Sequence, residues 1–232
     1  MPPEPQEEMD FGPTIYFSLL VIAVTSFFRP DVIPFPFFHF WKMDGLWSEA
    51  LWYAWPIFLW GGGVMAISCF VTPDYKKEDC DPSDIFFVGT LGSIFAGVSE
   101  EVIFRWFLFY AGIALYTLLN WLTWGLFAWI FMHILGPIAD FFTLGYFHNL
   151  LFHEYGWTIG AAILSSTSQF RDGHKYLGTF GWINSWFLGL YFFHIVFTFG
   201  LPAAIMLHIL YDFLIYCVIG VDALIARKRM WG

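Results

Sequence analysis

Long apolar stretches alternate with short polar ones along this chain. The main stretches without Asp, Glu, Lys or Arg are residues 11–28, 50–73, 85–99, 106–139 and 176–211. A helix needs roughly 20 residues to cross a bilayer, so each of the last two stretches has room for two helices. The apolar runs are continuous and lack the alternation of a membrane β-strand, which favours helices.

Start and stop signals divide these stretches into seven or eight predicted membrane segments. The first two cover residues 13–28 and 51–72, and the third begins at Asp81-Pro82 and runs to about residue 117. Asn120, Gly136-Pro137 and Gly156 divide the following residues into short segments. The last three helices are predicted at 157–176, 180–198 and 202–221. The predicted fold class is therefore all-α, a polytopic transmembrane helical bundle.

We predict a single transmembrane helical domain at residues 13–222, with an exposed acidic tail at 1–12 and a basic tail at 223–232. With eight spans, two groups of basic residues fall on opposite sides of the bilayer. One group is Lys76, Lys77, Arg171, Lys175, Arg227, Lys228 and Arg229, and the other is Arg29 and Lys42. The positive-inside rule then predicts that both termini are cytoplasmic.

Composition supports a membrane location. The chain is 59% hydrophobic and 12% charged, whereas a soluble domain has roughly 25% charged residues. The lipid bilayer is thus its first expected partner. A net charge of -9 leaves no basic surface for phosphates, which argues against a nucleic-acid partner. The three cysteines are an odd number without close spacing, so they predict neither a disulfide framework nor a thiolate metal site.

The candidate chemistry begins with three charges in one apolar helix: Glu100, Glu101 and Arg105. Each charge costs about 2.5–3.5 kcal/mol at the bilayer centre, so the group needs a structural or functional reason. Glu101 and Arg105 are four residues apart, which permits an ion pair. Glu100 points about 100° away and is free to act as a base. A buried salt bridge that fixes helix packing is the alternative interpretation.

Two histidines stand in similar four-residue patterns. Phe170 precedes His174, and His208 precedes Asp212. Within a helix, Asp212 can accept a hydrogen bond from one ring nitrogen of His208 and leave the other nitrogen facing a substrate or ion. A loop histidine at position 174 and a packing role for His208 remain open as alternatives.

In this order, Glu-Glu-x-x-x-Arg, Phe-x-x-x-His and His-x-x-x-Asp resemble the signature of the CaaX-protease and bacteriocin-processing family (CPBP, or Abi) of intramembrane proteases. The resemblance covers about residues 88–220. It implies that Glu100 is the water-activating base, that Glu101 and Arg105 support it, and that Asp212 takes the last motif position. It further implies that His174 and His208 bind or polarise the scissile carbonyl, in a peptide or prenylated-protein substrate.

A metal is compatible with the same motifs. Glu100, His174 and His208 could hold a divalent cation such as zinc, so a glutamate-type and a metal-dependent mechanism both stay open. Two departures from the family pattern affect the second motif. Arg171-Asp172-Gly173 places charges and a glycine inside it, which suggests a helix end or a water-filled mouth at His174. The long interval before Phe170 also carries the additional histidines His133, His148 and His153.

Other protease classes lack their motifs here. A site-2-type protease needs His-Glu-x-x-His, but the nearest match, from His153, ends in Trp157. A rhomboid-type serine site needs glycine where Glu100 stands, and no Gly-x-Gly-Asp follows Asp212. The main alternative is a non-catalytic membrane subunit or assembly factor that packs against partner membrane proteins, because 13 Trp and 30 Phe provide a large aromatic surface.

Overall fold

The computed structural model describes residues 12–28, 32–71 and 82–231. Within these ranges the chain forms helices joined by turns and has no β-strand, which confirms the all-α prediction. The acidic tail predicted at residues 1–12 lies outside the described residues except for Gly12. Arg29, Lys76 and Lys77, which entered the topology prediction, lie outside them as well.

The described ranges contain a series of α-helices in chain order. They are α1 (Gly12–Phe28), α2 (Trp47–Tyr53), α3 (Trp55–Val71), α4 (Pro82–Glu100), α5 (Leu108–Leu122), α6 (Leu126–Ile130), α7 (Gly136–Phe142), α8 (His148–Leu151), α9 (Trp157–Gly173), α10 (Gly178–Phe199) and α11 (Leu201–Trp231). Two π-helical turns, Glu101–Phe107 and Phe131–Leu135, join α4 to α5 and α6 to α7. Short 3-10 helices occupy His39–Trp41 and Lys175–Leu177.

Several predicted boundaries agree with the structure and others differ. The segment expected at 51–72 is divided at Ala54 into α2 and α3, which are bent by 49°. Gly136-Pro137 does not interrupt its helix. Proline lacks the N–H of an α-helical bond and clashes with an earlier carbonyl, and here the wider π-turn immediately before Gly136 accommodates it. In addition, α11 continues as a helix through the predicted basic tail to Trp231.

Among the residues that the structure describes, three helices are long and apolar enough to cross a membrane: Ser83–Leu122, Lys175–Phe199 and Leu201–Lys228. The bent pair α2 and α3 would make a fourth. The surface agrees with a lipid environment, since Phe70 and Trp124 are 93% and 96% exposed. This is fewer than the predicted seven or eight, and α1 and α9, at 17 residues each, are shorter than the roughly 20 residues that a crossing needs. The larger number stays a prediction.

The predicted single domain contains two compact units. In the described residues the first unit comprises 12–28, 32–37 and 104–191. Here α5 packs against α1 and α9. Gly112 permits the approach to α9, because a Cβ there would lie 3.0 Å from the Cβ of Ala162. Trp106 and Tyr110 donate hydrogen bonds to the carbonyls of Phe37 and Pro36 and so fix the preceding segment on α5.

The second unit comprises residues 38–71, 82–103 and 192–231 among those described. Its centre is the long contact between α4 and α11, with α3 on α11 as well. Glycines make this contact close. A Cβ at Gly97 would lie 2.5 Å from Cγ1 and 2.9 Å from the backbone nitrogen of Ile209. No other residue type fits there without moving a backbone, and this closeness positions the candidate site.

Candidate functional site

Four of the predicted site residues meet in the second unit. We call Glu100, Glu101, His208 and Asp212 the carboxylate–histidine cluster. Glu100 ends α4 and Glu101 begins the π-turn, while His208 and Asp212 lie one turn apart on α11. The sequence separation between the glutamates and His208 exceeds one hundred residues, so helix packing alone brings them together.

The imidazole of His208 is the centre of the cluster. Its Nδ1 lies 2.7 Å from Oε1 of Glu101, a hydrogen bond between two buried side chains. Its Nε2 lies 3.8 Å from Oε2 of Glu100 and 3.6 Å from Oδ2 of Asp212. These two distances are too long for direct hydrogen bonds. Asp212 was expected to orient His208, and this expectation is wrong: Glu101 takes that role.

The backbone explains why Glu101 reaches His208. Gly97 lies one turn before the glutamates and brings α4 against Ile205 and Ile209 of α11. The π-turn then begins at Glu101 and places more residues in a turn than an α-helix does. As a result, the two adjacent carboxylates face different nitrogens of the same His208 ring: Glu101 faces Nδ1 and Glu100 faces Nε2.

Phe192 supports the His208 ring from the side. The two rings are stacked, with centroids 4.8 Å apart and planes inclined by 25°. This contact belongs to the second unit, which includes α10 from Phe192 onward. A stacked aromatic restricts rotation of the imidazole about its last torsion. The hydrogen bond to Glu101 and this stacking together define the direction in which Nε2 points.

This arrangement can position and move protons. When the Glu101 carboxylate accepts from Nδ1–H, the neutral ring presents an unprotonated Nε2 to Glu100 and Asp212. A second proton would make Nε2 a donor without disturbing the bond to Glu101. A water molecule could bridge Glu100 and Nε2, because each would then be within hydrogen-bond distance of it.

Arg105 and Phe170 form a separate contact in the first unit. The guanidinium of Arg105, only 1% exposed, lies 4.0 Å from the ring centroid of Phe170. A second ring, Phe104, is at 6.0 Å. Such cation–π contacts offset part of the cost of burying a charge. The aromatic residue of the second motif therefore has a structural partner in the arginine of the first.

His174 is the first residue after α9, as the charged residues before it suggested. Its Nδ1 lies 2.7 Å from the carbonyl oxygen of Phe170 and can donate to it. Its ring also contacts the Phe170 ring, with centroids 4.5 Å apart. Phe170 thus lies between Arg105 and His174. The side chain of His174 is half-buried.

Asp172 organises the charges in this part of the first unit. Its Oδ1 accepts hydrogen bonds from Nε of Arg171 at 3.0 Å and from Nε1 of Trp182 at 2.9 Å. The Arg171 guanidinium lies 4.1 Å from the Trp182 ring centroid. Although partial burial by itself raises the pKa of the Asp172 carboxyl, the hydrogen bonds and the charges of Arg171 and Lys175 lower it on balance.

The structure therefore divides the predicted site residues between its two units. The second unit holds the carboxylate–histidine cluster, and the first holds Arg105 and His174. The ion pair expected between Glu101 and Arg105 stays a prediction. A role for His174 together with Glu100 and His208 stays a prediction as well. Gly97 and Phe192 were missed, because in the sequence they are one glycine and one phenylalanine among many.

The additional histidines have local partners in the first unit. His148 Nδ1 lies 3.0 Å from Oδ2 of Asp140. His133 stacks on Trp129, with centroids 5.2 Å apart. His153 stacks on Tyr155, and burial lowers its pKa although Glu154 opposes this. These contacts link each of the three histidines to nearby side chains.

A metal site was a further expectation. Among the residues that the structure describes, no group of three or more His, Cys, Asp or Glu side chains is arranged to hold a metal ion. A divalent cation at these residues stays a prediction of the resemblance.

Comparison with known proteins adds no family to these observations. No protein-family model matches the chain, and searches of curated proteins and of solved structures found no significant match.

Proposed function

We propose that this chain is an intramembrane endopeptidase of the CaaX-protease type, in which Glu100 activates the attacking water. The observation that carries the proposal is the carboxylate–histidine cluster. Motifs separated by more than one hundred residues contribute to one His208 ring. The ring is oriented on one nitrogen, and its other nitrogen faces Glu100, which is partly exposed. This is the geometry that a base and a carbonyl-binding group require.

The proposed reaction uses protein groups and one water. Glu100 takes a proton from the water, and the hydroxide forms a bond to the scissile carbonyl carbon. The resulting oxyanion accepts a hydrogen bond from a protonated Nε2 of His208, while Glu101 keeps its bond to Nδ1. As the carbon–nitrogen bond breaks, Glu100 returns the proton to the leaving amine. Asp212, 3.6 Å from Nε2, helps to hold the protonated ring.

The remaining features of the proposal come from the sequence resemblance. It assigns His174 a second carbonyl-binding role and Arg105 a supporting one. It favours a peptide or prenylated-protein substrate, seven or eight membrane segments and cytoplasmic termini. The three to four long apolar helices support the membrane setting.

The experiment is a cleavage assay with the full chain in proteoliposomes and a farnesylated CaaX peptide as the probe. Glu100→Gln should lower kcat about 10²–10⁴-fold, the usual contribution of a general base. The matched control is Glu154→Gln, which removes an exposed carboxylate and should leave the rate unchanged. Melting of both variants in detergent checks that the fold is intact.

Two outcomes would contradict the proposal. If a folded Glu100→Gln variant keeps the wild-type kcat, Glu100 is not the general base. A wild-type protein that cleaves neither this peptide nor unprenylated membrane peptides would instead support the alternative of a non-catalytic subunit. His174→Ala tests the role that only the resemblance assigns, and an unchanged rate would exclude it.

A further inference from the structure

An elongated groove lies along one face of α9 in the first unit. Its volume is about 490 Å³, within the roughly 300–1,000 Å³ typical of ligand pockets. The residues that line it include Trp157 near the start of α9 and Arg171 near its end. At 1.5 Å per residue, these two positions are roughly 21 Å apart along the helix. The lining therefore extends over most of the length of α9.

The walls are apolar except along one line. Phe131 and Ile138 of the facing helices and Leu164 of α9 are typical of the lining. Apart from the aromatic residues Tyr116, Trp157 and Trp186, the polar residues of the lining are Ser165, Ser168 and Arg171. They follow one another at helical spacing, so they occupy one face of α9 at one end of the groove.

The two hydroxyls are available to a ligand. Elsewhere, Thr143 and Ser185 donate to the carbonyl four residues earlier, as is common in membrane helices. In the described part of the chain, the hydroxyls of Ser165 and Ser168 have no hydrogen-bond partner, and both side chains are half-buried. Both residues line the groove together with Arg171, so their hydroxyls are available to a ligand bound there.

The charge at this end is positive. Nη2 of Arg171 lies 2.9 Å from Oδ1 of Asp172, and Nζ of Lys175 lies 4.0 Å from the same oxygen. Two cations thus share one carboxylate, which leaves one positive charge in excess. An anionic group at the Arg171 end would neutralise it, and guanidinium is well suited to a phosphate.

We propose that this groove binds an acidic phospholipid of the bilayer, with one acyl chain along α9 and the phosphate at Arg171 and Ser168. The length agrees, since one leaflet provides roughly 15 Å of hydrocarbon, half of a bilayer core of about 30 Å. Acidic lipids are concentrated in the cytoplasmic leaflet, where the positive-inside rule places Arg171 and Lys175. The inference does not depend on peptidase activity.

The test is native mass spectrometry of the full chain in detergent, with dioleoyl phosphatidylglycerol and dioleoyl phosphatidylcholine offered at equal concentration. Wild type should retain the acidic lipid in roughly fivefold preference, the effect of one basic side chain near acidic lipid. Arg171→Gln should reduce the preference to about one, while Arg171→Lys should keep it. Leu164→Trp fills the groove and should reduce retention of both lipids.

Matched controls lie on α11. Arg227→Gln removes an exposed arginine, and Leu224→Trp enlarges an exposed leucine. Both variants should bind lipid as wild type does. The proposal is overturned if folded Arg171→Gln keeps the preference, or if Arg227→Gln loses it equally. It is also overturned if Arg171→Lys loses the preference like Arg171→Gln, or if Leu164→Trp retains both lipids.

Discussion

Gly97 provides a direct test of how the carboxylate–histidine cluster is assembled. The exchange Gly97→Ala adds one methyl group, whose carbon would lie 2.5 Å from Cγ1 and 2.9 Å from the backbone nitrogen of Ile209. The side-chain atom can rotate away, but the backbone nitrogen cannot. We therefore expect α4 and α11 to separate locally, which lengthens the 2.7 Å bond between Glu101 and His208.

The expected cost follows from a comparison within the same helix. Gly92→Ala is the control, because no atom lies within 4 Å of a Cβ at that position. Both exchanges gain the same helix propensity, so their difference isolates the overpacking, about 1–3 kcal/mol. For a chain of this size, that corresponds to a melting temperature roughly 2–12 °C lower for Gly97→Ala than for Gly92→Ala.

The assay is thermal unfolding of both variants in the same detergent, followed by tryptophan fluorescence. In the peptidase assay, Gly97→Ala should also lose about 10²-fold in rate, because misplacement by about 1 Å has that effect. A Gly97→Ala protein as stable as Gly92→Ala would show that the two helices do not meet as described. Lower stability with an unchanged rate would separate the helix contact from the chemistry.

Three further exchanges test individual contacts. Glu101→Gln removes the charge that orients His208 and should lower kcat about 10–100-fold with little change in KM; an unaltered kcat would contradict its orienting role. Phe170→Leu removes the ring under the Arg105 guanidinium, a contact of about 0.5–2 kcal/mol, and should lower the melting temperature more than Phe180→Leu, since Phe180 is 59% exposed. The pKa of Asp172 is lowered from its ordinary 3.8, so its ionised form stabilises the fold above pH 3.8 and that contribution is lost as the pH falls through the lowered pKa. Asp172→Asn should therefore melt below wild type at pH 6, and the difference should shrink in acid; a difference independent of pH would show that the charge is not responsible.

The sequence predicted the helical class and several helix ends, because those follow from local signals. Gly156 directly precedes α9, and Gly200, with its φ of +90°, separates α10 from α11. The bend at Ala54 was overlooked although the sequence contains a signal for it: Pro56 stands in the first turn of α3 and cannot donate to the carbonyl four residues earlier, which interrupts a continuous helix there. Gly136-Pro137 is a strong helix-breaking signal, yet the boundary that it predicted is wrong, because the π-turn before Gly136 accommodates the proline. No composition rule reveals such a π-turn.

For the site, the residue types were predictable and their pairing was not. The motif spacing selected Glu101, His208 and Asp212, and all three belong to one cluster. Spacing within α11 suggested that Asp212 would hold His208, because it is the nearest carboxylate along the helix. Glu101 instead holds it across the contact at Gly97. Which of several carboxylates reaches a ring depends on the distance between two helices, and a single sequence does not encode that distance locally.

The π-turn at Glu101–Phe107 contains one residue more than an ordinary α-turn would. In an α-helix each residue turns the chain by about 100°, whereas a π-turn includes one residue more per hydrogen-bonded ring. The extra residue is absorbed within the turn, so the α-helical residues on either side do not shift by 100°. Deleting one residue from this turn would restore an ordinary α-helix and move the side chains of the turn itself, including Glu101. Such a deletion should therefore break the bond between Glu101 and His208 even where the helix persists.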